Sequence, residues 1–144
     1  VYRVDVLDVQ ASAGPGTMIT NEFVEKIRAI EYTTEQARSM FNGRPQESVK
    51  VVTVNGDSME GTINPGDEIF VDISVNHFDG DGIYAFCFEG ECYVKRLQKI
   101  GSKIVVLSDN SNYQSWSIEK DALDMLYIQS KVISSVPFNI NRFG

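Results

Sequence analysis

Residues 82–97, GIYAFCFEGECYVKRL, constrain the fold more than any other stretch of this chain. Two runs rich in aromatic and β-branched residues flank Glu89-Gly90, a pair suited to a tight turn. The pattern predicts a hairpin whose register sets Cys87 directly across from Cys92. In that register Tyr93, Lys95 and Leu97 share a face with Tyr84, Phe86 and Phe88. Further strand-like runs lie at 49–54, 67–73, 102–107 and 125–133. Turn signals separate them: NPGD, FDGDG, FEGE, KIGS and SDNSNY. Residues 2–9 partly alternate and read as another strand.

One helix is expected, in TTEQARSMFNG. Thr33 and Gln36 make a capping box, Ala37, Met40 and Phe41 an apolar face, and Gly43 a C-cap. Residues 22–31, EFVEKIRAIE, stay ambiguous. Phe23, Val24, Ile27 and Ile30 have helical spacing, whereas Val24, Lys26, Arg28 and Ile30 fit one face of a strand. The expected class is therefore mainly antiparallel β with one short helix. The small-residue stretch DVQASAGPGTM, residues 8–18, reads as a linker in which GPG forbids regular structure.

The net charge of −7 argues against nucleic-acid binding by this segment's own surface, since phosphate neutralisation needs clustered cations. Lys26, Arg28, Lys95, Arg96, Lys99 and Lys103 are scattered instead. No run reaches the length of a membrane span. Because the chain starts at Val1, an excised fragment with an upstream domain elsewhere is one expectation. No secretory signal opens the chain, so Cys87 and Cys92 are expected as reduced structural thiols rather than a cross-strand disulfide. A zinc site would need two more ligands, and His77 is the single histidine. No metal or cofactor is expected.

VNGDSMEGTINPGD interrupts the strand pattern. Gly56 permits a sharp turn, and Ser58 behind it reads either as a presented nucleophile or as the cap of a short helical turn, like Thr62 and Asp67. A serine nucleophile needs a base. His77 lies in the turn sequence VNHFDGDG and reads as solvated. Asp57 points away from Ser58 if the chain is extended there. DGDG lacks the later ligands of a calcium loop. Lys95 remains. On its apolar face the amine is either desolvated, with a lowered pKa fit for a general base, or snorkels to the edge.

GDSMEGTINPGDEIFVD, GIYAFCFEGECYVKRL and LSDNSNY together resemble the S24 peptidases, the self-cleaving C-terminal domains of LexA-like and prophage (CI-type) repressors. The likeness extends over nearly the whole chain. It implies LexA/signal-peptidase-like antiparallel sheets or a partial barrel. It implies Ser58 as nucleophile, Lys95 as general base, and the backbone N–H groups of Asp57 and Ser58 as an oxyanion hole. Cleavage would fall at Ala13-Gly14, the one Ala-Gly pair, with Val9 and Ala11 in apolar subsites. Residues 1–19 would then be an N-terminal strand and cleavage-site loop, and 20–144 the catalytic and dimerisation domain. A serine-box proline common in relatives is Gly61 here.

The resemblance further implies a cytoplasmic protein of a bacterial host that forms a homodimer or higher homo-oligomer. A RecA-type recombinase filament would act as coprotease during SOS induction. Operator DNA would be reached only through a helix-turn-helix domain absent from this chain. MLYIQSKVISSVPFNI is either an interface strand or an internal sheet strand. Two other readings stand beside this one. The first is a non-cleaving oligomerisation module relieved by an antirepressor protein. The second is a mutagenesis-type polymerase accessory subunit. A signal peptidase would need a membrane anchor.

Overall fold

Strand-forming runs of this chain either alternate between buried and half-buried positions, as at 103–107, or are buried almost continuously, as at 69–72 and 84–87. In the computed structural model, residues 1–11, 14–15 and 26–137 are described, with the backbone alone at 9–11, 14, 15 and 27. The strands are β1 (Tyr2–Ala11), β2 (Gly14–Pro15), β3 (Lys26–Tyr32), β4 (Val49–Val54), β5 (Glu68–Asp72), β6 (Gly82–Phe88), β7 (Glu91–Ile100), β8 (Lys103–Leu107), β9 (Trp116–Ile118) and β10 (Leu126–Ser135). The helix α1 (Thr34–Phe41) joins β3 to β4 through a short 3₁₀ turn. Among the described residues the strands form a single sheet in the order β3-β1-β4-β5-β10-β6-β7-β8-β9, with β2 added beside β7. Pairing is antiparallel except between β1 and β4, which run parallel.

The helix starts as the sequence predicts. Thr33 accepts from the Gln36 N–H while the Gln36 side chain accepts from the Thr33 N–H. The cap falls one residue early, on Asn42 in the left-handed conformation at φ 51°, with Gly43 after it also at positive φ. Asparagine tolerates that region, so glycine is not required there. Ala37 and Phe41 are buried against Val4, Val6, Val49, Val51 and Phe70. The ambiguous stretch 22–31 resolves as strand over its described part, where β3 pairs antiparallel with β1. The edge of β1 decides this, since it leaves unpaired N–H and C=O groups that a strand satisfies and a helix does not.

The hairpin β6–β7 has the predicted register, with Tyr84 opposite Lys95, Phe86 opposite Tyr93 and Cys87 opposite Cys92. Glu89 and Gly90 both carry positive φ, as a two-residue turn of this hand requires. The cysteines correct the expectation of free thiols: Cys87 and Cys92 are joined by a disulfide. Direct opposition across the ladder, with Cα atoms 4.0 Å apart, brings the two side chains together regardless of compartment. The GPG segment also departs from expectation. Gly14 pairs with Cys92 and Pro15 with Glu91, so part of it adds a short strand to β7. A two-residue pairing asks for few ladder donors, which is why proline is compatible with it.

β10 is an internal strand, paired with β5 on one side and β6 on the other. Of the two readings of this segment, the structure shows the internal sheet strand, with Tyr127 at its start exposed. The core between β4, β5, β6 and β7 holds Val52, Val54, Met59, Ile63, Ile69, Val71, Ala85 and Val94. Met59 and Ile63 belong to the turn after β4, so the residue just before them, Ser58, is held against the core by its neighbours. Among the described residues no helix is long and apolar enough to cross a membrane.

Candidate functional site

β4 ends at Val54, and the chain then turns through Gly56, Asp57 and Ser58. The turn is helical in character. Glu60 N–H bonds the Asp57 carbonyl (3.1 Å), and Ile63 N–H bonds the Met59 carbonyl (2.8 Å). Asp57 is exposed and Ser58 is buried, 3% accessible, so consecutive side chains do point opposite ways. The Asp57 carboxylate accepts from the Tyr113 hydroxyl.

Asn110 fixes this turn from outside. Its N–H donates to the Ser58 carbonyl (3.0 Å) and its side-chain amide donates to the Asp57 carbonyl (3.0 Å). A peptide unit is planar and trans, so holding the Asp57 carbonyl also sets the direction of the Ser58 N–H, which points the opposite way. Of the two proposed oxyanion donors, Ser58 N–H is thereby oriented by a bond on its own peptide plane.

Lys95 comes from the middle of β7. It is 5% accessible, so the snorkelling alternative does not apply. Its Nζ donates to Ser108 Oγ (2.8 Å) and lies 5.6 and 5.1 Å from the ring centroids of Tyr93 and Tyr113. Burial disfavours the ammonium and pulls the Lys95 pKa below its ordinary 10.5. Arg96, on the opposite face, grips Asp109 with two hydrogen bonds of 3.0 and 2.8 Å. Asp109 also accepts from Thr62 Oγ1 (2.6 Å), and chiefly the arginine bond holds its carboxyl below the usual range.

One segment touches both residues: Ser108 binds Lys95, and Asn110, two residues on, binds the Ser58 carbonyl. His77 sits in an exposed turn and contacts Asn76. Ala13 lies outside the described residues, as do the side chains of Val9 and Ala11. The backbone on either side of Ala13 is placed, with Ala11 paired to Val54 and Gly14 paired to Cys92. Those partners lie on the strand that leads to Ser58 and on the strand that carries Lys95.

Ser108, Asn110 and Tyr113 were not singled out by residue type, because SDNSNY reads as an ordinary polar turn. Register could have found Ser108. The β7–β8 pairing opposes Arg96 to Leu107, so one step further along each strand sets Lys95 opposite Ser108.

A buried serine and a buried, desolvated lysine joined by one bracing loop can perform nucleophilic attack with an amine base. Comparison with known proteins agrees in kind. The chain is 65% identical, over 99% of its length, to a 26 kDa repressor protein of Escherichia phage HK022. It is 32% identical, over 87% of its length, to an uncharacterized HTH-type transcriptional regulator of Haemophilus influenzae. It spans 61% and 52% of the lengths of these two relatives. Residues 5–133 match the family described as Peptidase S24-like, and the chain belongs to that family.

Proposed function

We propose that this chain is the C-terminal domain of a phage-type transcriptional repressor and that it cleaves itself between Ala13 and Gly14. The carrying observation is the pairing on either side of that bond, Ala11 to the end of the strand that leads to Ser58 and Gly14 to the strand that carries Lys95. Ser58 Oγ attacks the Ala13 carbonyl carbon as neutral Lys95 Nζ takes the hydroxyl proton. The Ser58 N–H, with that of Asp57, stabilises the resulting oxyanion. The Lys95 ammonium then returns its proton to the Gly14 nitrogen as the peptide bond breaks, leaving Ala13 esterified to Ser58. Water, deprotonated by the amine, hydrolyses the ester and frees the serine.

Substrate and nucleophile share one chain, so the effective concentration is high. Restraint comes from the charge on Lys95 and from the fraction of time the segment is docked. In the family's pattern a recombinase filament raises that fraction during the SOS response. Cutting the segment would separate this domain, with its self-association, from an upstream DNA-binding domain. The alternative of an oligomerisation module released by an antirepressor predicts the same homo-oligomer without cleavage.

Self-cleavage is expected to accelerate as pH rises, because only neutral Lys95 accepts the serine proton. The midpoint should lie below 10.5, in the direction burial shifts this amine. Rates of fragment formation measured by gel from pH 6 to 11 test this. A rate that is flat with pH, or that falls through this range, would remove Lys95 as the base.

A further inference from the structure

The segment that follows β8 contacts both halves of the candidate site. Ser108 Oγ accepts from Lys95 Nζ (2.8 Å). The Tyr113 ring faces the same nitrogen at 5.1 Å, and its hydroxyl donates to the carboxylate of Asp57, next to Ser58. Asp109 anchors the segment between Arg96 of β7 and Thr62 of the serine turn. Residues 108–113 therefore cross-link the strand that carries the amine to the turn that carries the hydroxyl.

We propose that Ser108 and Tyr113 are positioning residues for self-cleavage, Ser108 by fixing Lys95 Nζ and Tyr113 by tying the base to the Ser58 turn. The inference rests on the self-cleavage reading above. A lysine side chain ends in freely rotating bonds, and a buried amine with no fixed partner samples many directions. A neutral amine carries two N–H groups and one lone pair. With one N–H engaged by Ser108, rotation about the Cε–Nζ bond is restricted and the lone pair stays available to the Ser58 proton. The same oxygen solvates the ammonium between the rings of Tyr93 and Tyr113. Its loss disfavours the charged form further and lowers the midpoint of titration.

The ionisable groups placed around the amine come from three elements: Tyr93 on β7, Tyr84 opposite on β6, and Tyr113 on the bracing segment, whose hydroxyl reaches Asp57 of the serine turn. Burial first, and then its bond to Glu91, push Tyr93 up to about 12. The bond to Asp57 holds Tyr113 up as well.

The test combines two readouts on the full chain. In a Ser58→Ala background, which keeps the chain intact at alkaline pH, NMR of ¹³Cε-labelled lysine follows the Lys95 titration. Adding Ser108→Ala should lower its midpoint by about one pH unit, and Ser108→Thr should restore it. With Ser58 present, Ser108→Ala should lower the alkaline plateau rate of cleavage about tenfold through misplacement of the amine. Tyr113→Phe, which keeps the ring, should lower the plateau with the midpoint unmoved.

An unmoved midpoint in Ser108→Ala overturns the role of Ser108, including the case where the plateau falls with thermal stability as in a merely structural loss. An unchanged plateau in Tyr113→Phe overturns the role of Tyr113. A wild-type chain that never cleaves overturns the self-cleavage reading and the positioning role with it. A wild-type chain that cleaves with both variants unaffected overturns the positioning role alone.

Discussion

Lys95→Met is expected to slow self-cleavage by about 10⁴-fold or more while leaving the domain folded. Methionine keeps most of the side-chain volume and suits a face shared with Tyr93 and opposite Tyr84. What it removes is the amine, and Ser58 alone is a poor nucleophile near neutral pH. Ser58→Ala should have an effect of similar size. The double variant should be little worse than either, because a nucleophile and its base act as one unit.

Stability should move the other way in Lys95→Met. The folded-state pKa of Lys95 lies below its unfolded value, so the unfolded chain binds more protons in the interval between the two. Stability contributed by this group therefore rises with pH through that interval, and the charged lysine opposes folding below it. Melting of Lys95→Met at pH 7 should occur at the wild-type temperature or above it. Cleavage followed by gel and melting followed by circular dichroism separate a lost base from a lost fold. A Lys95→Met chain that still cleaves at the wild-type rate would exclude the lysine.

Phe70→Ala is expected to destabilise the domain by about 3–5 kcal/mol, as large-to-small changes at buried aromatic positions do. Phe70 is wholly buried in β5 and meets Phe41 edge-to-face with ring centroids 4.9 Å apart. Tyr32 approaches it at 6.2 Å. These contacts join the helix, the strand β3 and the central sheet, so one truncation leaves a cavity shared by three elements. Set against a typical stability of about 5–15 kcal/mol, the loss takes a large share. Urea denaturation measures it, and a loss below about 1 kcal/mol would mean that this cluster contributes little.

The core and most of the sheet were legible in the sequence because runs of β-branched and aromatic residues bounded by turn signals announce strands. The runs 49–54 and 82–88 match β4 and β6 residue for residue. The hairpin turn at Glu89-Gly90 fixed a register from which Tyr84, Tyr93 and Lys95 could be assigned to one face. Lys95 itself was only half legible. Its place on an apolar face followed from periodicity, but whether its head group reached solvent depended on Ser108 and Tyr113, which lie 13 and 18 residues away in the chain.

What sequence missed was set by long-range pairing. β9, at Trp116–Ile118, is too short to show a period, and it pairs with β8 over three positions. The parallel partnership of β1 with β4 has no local signature at all. Residues 22–31 carried both periodicities, and over their described part the exposed edge of β1 decided between them. The disulfide was misjudged because compartment was weighed above geometry, even though the register already opposed Cys87 to Cys92.

The central claim is that the Ser58–Lys95 pair cuts its own chain at one bond. Intact-mass spectrometry of the wild-type chain held near pH 10 tests it most directly, over a range of protein concentrations. The account predicts two fragments, 1–13 and 14–144, appearing with first-order kinetics at a rate independent of concentration, and none from Ser58→Ala. A chain that stays whole under these conditions, or a cut at any other bond, would contradict it.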